Sequence, residues 1–308
     1  FHTLAEPRSG VYVEQLSCQL NGSLDVAEFQ KAWQATVDEH AVLRTAFLWE
    51  GLDEPLQVVH KEIDVNVRVV DKAIGTFLAE DRKQGFDLTA APCLRLTLFR
   101  ESATTHTFVW TFHHLLSDGW STPRLLRDVF DRLGGKPTNV TKNRPYHEYI
   151  AWLQQQDGAK SESFWKGYLS GFDAPLELPI RRRSSGEAQY AQLEQRLPAR
   201  ESAALEERCR RLRITSNTLV LGAWALTLAR YTQRQDVLFG MTVSGRPPSL
   251  PGVETMIGNF INSVPLRTKV DENTSLEKWL AKLQETQGQL REHEHGRRDF
   301  HSAHKVHA

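Results

Sequence analysis

The chain lacks a long apolar segment, an excess of charge of either sign and more than a few cysteines. No apolar run approaches the roughly 20 residues that span a bilayer. The 38 basic and 38 acidic residues cancel, so bulk charge gives no reason to expect a nucleic acid or an anionic membrane as a partner. Cys18, Cys93 and Cys209 are few, odd in number and far apart, which favours a reducing, cytoplasmic compartment without a disulfide framework.

The length and the first residues of the chain indicate how many domains to expect and whether the chain is part of a longer protein. The 308 residues are about twice a typical domain, which predicts one large or two medium units. The opening residues, Phe1-His2-Thr3-Leu4, have neither an initiator methionine nor the charged-then-apolar pattern of a signal peptide. We therefore expect a piece of a longer protein.

Hydrophobic periodicity predicts strands and helices in two blocks, with a break at 175–186, where proline, arginine, serine and glycine are frequent. In the first block, Asp25 stands three residues before Glu28, which predicts the N-cap of a helix. In the second block we predict a short strand near 192–197 and an extended segment over 257–270. The helix predicted from Ser216 to Tyr231 is apolar nearly all round, which indicates a buried helix.

The most informative segment is His113–Gly119, which follows a predicted buried strand over 105–112. Side chains alternate between the faces of a strand, so His114 continues the aromatic face of that strand. Asp118 follows in a tight turn, before a helix predicted to begin at Thr122. An imidazole at the end of a strand, with a carboxylate four residues on, is a common arrangement for a catalytic base.

Two other interpretations of the histidines compete with catalysis. A single histidine at a strand end is more often a structural residue, and that interpretation stays open. Metal binding is disfavoured because His113 and His114 are adjacent and point to opposite faces. A polar terminus explains the histidines near the C-terminus as well as a metal site does; they are His293, His295, His301, His304 and His307. We predict no metal.

Five segments, in order, resemble the motifs of condensation domains of nonribosomal peptide synthetases, which are relatives of chloramphenicol acetyltransferase. They are 1–3 for the end of the first motif, 40–47 for the second, 113–119 for the signature HHxxxDG, 146–152 for the fourth and 257–262 for the fifth. The similarity extends to about His295. Most of the first motif and about the last quarter of the family's domain are missing, so we expect a chain truncated at both ends.

The resemblance implies an α/β fold of two acetyltransferase-like lobes in a V-shaped pseudo-dimer, the second lobe being incomplete. We place the lobes at 1–175 and 191–308 and a linker at 176–190. The implied activity is amide formation between a donor acyl thioester and the amine of an acceptor aminoacyl thioester. Both substrates arrive on phosphopantetheine arms, so no cofactor is bound by the chain itself. The expected partners are upstream and downstream peptidyl carrier proteins and an adjacent adenylation domain.

The resemblance also implies roles for the signature residues. His114 is expected to accept a proton from the amine or to orient it. His113 is either a further catalytic residue or, as we favour, a packed one. Asp118 is either a second catalytic group or, as we favour, a structural partner of Arg246. Gly119 either leaves room for the pantetheine arm or occupies a turn that requires positive φ.

The remaining assignments concern the substrate tunnel, which is expected to involve Trp120, Ser121 and Asn262. A core position is the competing interpretation for Trp120, and a strand-end cap is the competing interpretation for Asn262. Arg44 is expected to brace the first lobe. The loop over 115–121 resembles that of the subtype accepting an L-configured donor. Two alternatives stay open: an epimerization domain, which shares HHxxxDG, and a catalytically silent platform that recruits carrier proteins or tailoring enzymes.

Overall fold

A computed structural model of the chain describes residues 10–71, 74–136, 144–172, 176–179 and 193–295. The chain divides into two compact units. The first takes residues up to 154 together with Arg246–Phe260, and the second takes 155–245 and the residues from 261 onward.

The helices and strands are as follows. The first unit contains β1 (Val13–Asn21), α1 (Val26–Glu39), β2 (Thr45–Leu48), β3 (Leu56–Val59), β4 (Val67–Val70), α2 (Phe77–Gln84), β5 (Leu94–Arg100), β6 (Thr105–His113), α3 (Thr122–Leu133) and α4 (His147–Gln154). The second unit contains α5 (Gly158–Leu169), α6 (Ala199–Leu212), α7 (Ser216–Thr232), β7 (Asp236–Val243), β8 (Asn262–Lys269) and α8 (Leu276–Arg291).

The main sheet of the first unit has the strand order β1-β6-β5-β4. Both β1 and β5 run antiparallel to β6, whereas β4 is parallel to β5. β6 is therefore paired along both edges, which fixes the position of the histidines at its end. The separate hairpin of β2 and β3 was not predicted from the sequence.

The core of the first unit forms where α1 packs on β6. Asp25 caps α1 by accepting hydrogen bonds from the amides of Ala27 and Glu28, as its position before the helix predicts. In α1, Trp33 is fully buried against Trp110 of β6, with ring centroids 5.1 Å apart. Burying a large apolar side chain stabilises a fold by about 1.5–3 kcal/mol, so this contact anchors the strand that carries the histidines.

The second unit is built on the antiparallel pair of β7 and β8 with helices packed on it. Gly222 of α7 faces α8 so closely that an added Cβ would lie 3.3 Å from the ring of Trp279. Aromatic residues of α5, among them Trp165, belong to this core. The core contacts of α5 explain why the first unit ends at 154, whereas the predicted lobe boundary lies at 175.

Two predictions for the second unit are wrong. The described residues 193–198 form no strand, and Leu193 is 94% exposed. α7 is not buried all round, because it packs through one face that includes Gly222, Ala225 and Leu228, while Val220 and Trp224 are exposed. Within the described part of the chain, every helix is too short or too polar to cross a membrane.

Candidate active site

On one face of the main sheet, β1 and β6 each carry a row of mainly apolar side chains, and both rows end at the candidate site. In β1 and β6, Leu16 pairs with Trp110 and Glu14 pairs with Phe112. Residues that face each other across an antiparallel ladder lie on the same side of the sheet. The row of β6 continues past Phe112 to His114, so each apolar row ends in a titratable side chain.

His114 lies just beyond β6, half-buried, on an open cavity of about 270 Å³. Its backbone amide donates a hydrogen bond of 2.8 Å to the carbonyl of Tyr12, which extends the ladder past the strand end. The Tyr12 ring meets the imidazole edge-on, with centroids 6.4 Å apart. In the part of the chain that the structure describes, neither ring nitrogen of His114 takes part in a hydrogen bond, and the residue lines the cavity.

The cavity is lined by the ends of the two strands, by the signature turn and by the start of α3. Its lining residues are Glu14, Gln15, Leu16, Phe112, His114, Ser117, Asp118, Gly119, Thr122 and Pro123. The lining therefore combines an apolar wall with a few polar groups, which is the usual composition of a ligand site.

His113 points to the other face of the sheet and is only 1% exposed. Its Nδ1 accepts a hydrogen bond of 3.2 Å from the amide of Leu115, and its ring meets the ring of Phe86 edge-on. Burial lowers the pKa of His113 to about 4, and the charge of His114 contributes to the lowering. His113 is thus a packed, neutral imidazole, on the face of the sheet opposite to that of His114.

Asp118 is 2% exposed, and its carboxylate is held by donors from three segments. Oδ1 accepts from the Ser121 amide at 2.8 Å, and Oδ2 accepts from the Phe260 amide at 3.3 Å. Nη2 of Arg246 lies 3.3 Å from both oxygens. Among the described residues, Asp118 and His114 share no hydrogen bond. The carboxylate therefore holds the turn in place, and the predicted contact with Arg246 is present.

Arg246 fastens the signature turn to a loop more than 100 residues away in sequence. Its Nη1 donates to the carbonyls of Val253 at 2.6 Å and Met256 at 3.0 Å. Its guanidinium lies 3.9 Å above the ring centroid of Phe260. Burial lowers the pKa of Arg246, and the charge of Asp118 opposes that effect.

Ser121 is fully buried, which corrects its assignment to the tunnel. Its hydroxyl donates to the Gly258 carbonyl at 2.9 Å and accepts from the Gly258 amide and from Arg246 at 3.1 and 3.0 Å. The Asp118 amide also donates to the Gly258 carbonyl, at 3.2 Å. The hydroxyl is therefore fully used in joining the signature turn to the fifth motif, and it has no donor or acceptor left for a substrate.

Gly119 and Trp120 differ from two of the predictions. Gly119 does not have positive φ, and a Cβ added there would meet nothing within 4 Å. The turn does not require glycine; an alanine side chain would simply reach into open space beside the cavity. Trp120 is 59% exposed and donates from its indole to the Glu254 carbonyl at 3.2 Å, so the core interpretation is wrong. Its role in a tunnel stays a prediction.

Arg44 and Asn262 both make local backbone contacts. Arg44 donates to the carbonyls of Val37, Asp38, His60 and Lys61, which ties α1 to the segment after β3. In the second unit, Asn262 begins β8 and its Nδ2 donates to the Glu294 carbonyl at 2.6 Å. These contacts suit the bracing role of Arg44 and the strand-end role of Asn262, whose tunnel role stays a prediction.

Tyr146 and Gly258 also belong to the site, although the motifs that contain them predicted no role for either. Tyr146 donates from its hydroxyl to the Asn259 carbonyl at 2.7 Å, and burial raises its pKa. Its ring lies so close to Gly258 that an added Cβ would stand 2.9 Å from its Cγ and nearer still to the ring edge. Glycine at 258 thus lets the loop approach both Tyr146 and Ser121.

No group of three or more potential metal ligands occurs within residues 10–295 as far as they are described. His293 is stacked on Phe164 with ring centroids 3.8 Å apart, and His295 lies beside Glu294. His301, His304 and His307 lie outside the described residues.

Comparison with known proteins shows the family to which the chain belongs. A family model described as "Condensation domain" matches residues 1–300. The chain belongs to the condensation-domain family. One of the linear gramicidin synthase proteins of Brevibacillus parabrevis is 43% identical over 313 residues, which cover 96% of this chain and 4% of that synthase. This condensation-domain chain therefore spans only a small part of the curated relatives it matches.

Solved structures confirm the α/β fold of this condensation-domain chain. The X-domain from teicoplanin biosynthesis is 25% identical with a TM-score of 0.78, over 94% of this chain and 69% of that one. The first condensation domain of the calcium-dependent antibiotic synthetase is 19% identical with a TM-score of 0.73, over 96% and 73%.

Proposed function

We propose that this condensation domain is an amide-forming acyltransferase of nonribosomal peptide synthesis. The substrates are a donor acyl or peptidyl thioester and the amine of an acceptor aminoacyl thioester. Each is delivered on the phosphopantetheine arm of a peptidyl carrier protein, one upstream and one downstream, with an adenylation domain adjacent and a cytoplasmic location. The observation that carries the proposal is the His114 imidazole, which is free of hydrogen bonds to the described residues and lines an open cavity.

The residues of this chain supply positioning and one proton acceptor. As the amine attacks the thioester carbon, a C–N bond forms and the nitrogen gives a proton to His114. Collapse of the adduct breaks the C–S bond, and the protonated imidazole returns that proton to the leaving thiolate. A base in this role contributes about 10²–10⁴-fold, and alignment of the two reactants contributes up to roughly 7–11 kcal/mol.

The turn that follows His114 is held by buried contacts that leave the imidazole to the substrate. Asp118, Arg246 and Ser121 use their polar atoms on one another and on the loop around Gly258. We therefore propose that Asp118 and Arg246 are positioning residues. Gly119 is proposed to leave space for the pantetheine arm, since a Cβ there would meet no protein atom within 4 Å.

The test is dipeptide formation between two loaded carrier proteins. We expect His114→Ala to reduce the rate by about 10²–10⁴-fold. His60→Ala, at an exposed position on the same unit, is the matched control and should keep the wild-type rate. Full activity of His114→Ala would contradict the role of this imidazole.

One observation favours epimerization as a second candidate. Glu14 lines the same cavity as His114, and moving an α-proton requires an acid and a base near one carbon. Incubation of a loaded upstream carrier alone in deuterated water separates the two activities. Deuterium at the α-carbon would favour epimerization, and its absence together with dipeptide formation favours condensation.

A silent platform is the third candidate, supported by similarity to the X-domain, which a solved structure describes in complex with OxyB from teicoplanin biosynthesis. That structure is 27% identical with a TM-score of 0.76. Carrier binding without turnover, in a chain extended to the full domain, would favour the platform over both enzymatic candidates.

A further inference from the structure

We propose that Glu14 binds the α-ammonium group of the acceptor aminoacyl thioester and holds it beside His114. This inference rests on the proposed condensation function and names a recognition residue for its acceptor substrate. The juxtaposition that carries it is the end of two paired rows, Glu14 on β1 and His114 after β6, on one cavity.

The register of the sheet makes Glu14 and His114 diagonal neighbours on one face. Glu14 is opposite Phe112, and His114 follows Phe112 by two residues on the same face. Diagonal neighbours of this kind lie about 7–8 Å apart in an antiparallel pair. Residues whose backbones are that far apart can both reach one small polar group in the cavity that they line.

The charges around the cavity single out Glu14 as the group available to a cation. The charged and titratable groups lining the cavity are Glu14 and His114 from the strands and Asp118 from the signature turn. Asp118 is paired with Arg246, and Arg124 of α3 lies near enough to lower the pKa of Arg246. Glu14, which is exposed, has no ion pair or hydrogen bond from its carboxylate to any part of the chain that the structure describes. An unpaired carboxylate on the lining favours a ligand that carries positive charge.

The proton balance of the reaction fits a site for the protonated amine. The acceptor arrives as an ammonium ion and releases one proton to solvent before it becomes a nucleophile. The second proton leaves the nitrogen as the C–N bond forms, passes to His114 and ends on the thiol. Glu14 takes part in neither transfer and acts only by holding the nitrogen within reach of His114.

The inference is tested by binding rather than turnover. The probes are glycyl-aminopantetheine, in which an amide replaces the thioester, and acetyl-aminopantetheine, which lacks the amine. At pH 6.5 we expect the wild-type chain to bind the glycyl probe about fivefold more tightly than the acetyl probe, as about 1 kcal/mol from one exposed ion pair implies. Glu14→Gln should abolish that preference and leave the affinity for the acetyl probe unchanged. Glu62→Gln, at an exposed position of the first unit, is the matched control and should keep the preference.

The pH dependence separates ion pairing from a structural effect. An α-amine loses its charge near its usual pKa of about 7.7–8.0, so the wild-type preference should disappear by about pH 9. An equal preference in Glu14→Gln, equal weakening of both probes, or tighter binding of a Nα-acetyl-lysyl probe than of the glycyl probe would overturn the inference. Wild-type dipeptide formation alongside any of these would leave the proposed function standing. Failure of dipeptide formation with the preference intact would remove the proposed function and the acceptor role of Glu14, and would leave only its contact with an α-ammonium group.

Discussion

Arg246→Met tests whether the buried ion pair holds the signature turn. Asp118 and Arg246 have side chains that are 2% and 7% exposed, so removing the guanidinium leaves a buried carboxylate without its cation. Breaking one partner of such a pair costs about 3–5 kcal/mol. Methionine keeps much of the volume over Phe260, so most of the loss should come from charge. We expect the free energy of unfolding to fall by about that amount in urea denaturation followed by circular dichroism.

The controls separate burial from charge. Arg210→Met removes an exposed partner of Glu207 in α6 and should cost less than about 1 kcal/mol. Adding Asp118→Asn to Arg246→Met should recover part of the lost stability, because no unpaired charge remains. Faster hydrogen exchange at the Phe260 amide should accompany Arg246→Met, since that amide donates to Asp118. A loss no larger than that of Arg210→Met would refute the reasoning.

Two further predictions concern packing and pH. Gly258→Ala should destabilise the fold by about 1–3 kcal/mol because its Cβ would collide with Tyr146. Gly119→Ala should change stability by less than about 0.5 kcal/mol but should slow dipeptide formation. Equal unfolding midpoints for the two variants would contradict this prediction. The pKa of His113 falls from 6.5 unfolded to about 4 folded, so the unfolded chain binds more protons and stability is lost as pH drops from about 6.5 to 4. The free energy of unfolding should fall by about 3 kcal/mol over this range. The same measurement on His113→Gln should show no such fall.

The elements that the sequence predicted well are those whose signals are local. Asp25 caps α1 through amides two and three residues away. The alternation over 105–112 predicts both the strand and the opposite faces to which His113 and His114 point. In each case the partner atoms lie within a few residues, so backbone geometry alone carries the information.

The predictions that failed required knowledge of distant neighbours. The apolar sequence of α7 indicates burial, but only packing against α8 decides which face is covered. Trp120 is apolar and follows a buried turn, yet it lies exposed with its indole on Glu254. The type of a side chain indicates whether it tends to be buried. A single sequence does not indicate which part of the fold packs against it.

The sequence by itself determined the order of the motifs, the strand that leads to His114 and the membership of the condensation-domain family that the comparisons confirm. Only the tertiary structure decided that Ser121 joins Gly258 across 137 residues and that Glu14 ends its row beside His114. The reason is physical: periodicity and capping act over one or two turns of chain, whereas a buried carboxylate or hydroxyl is satisfied by whichever donor the fold brings within about 3 Å.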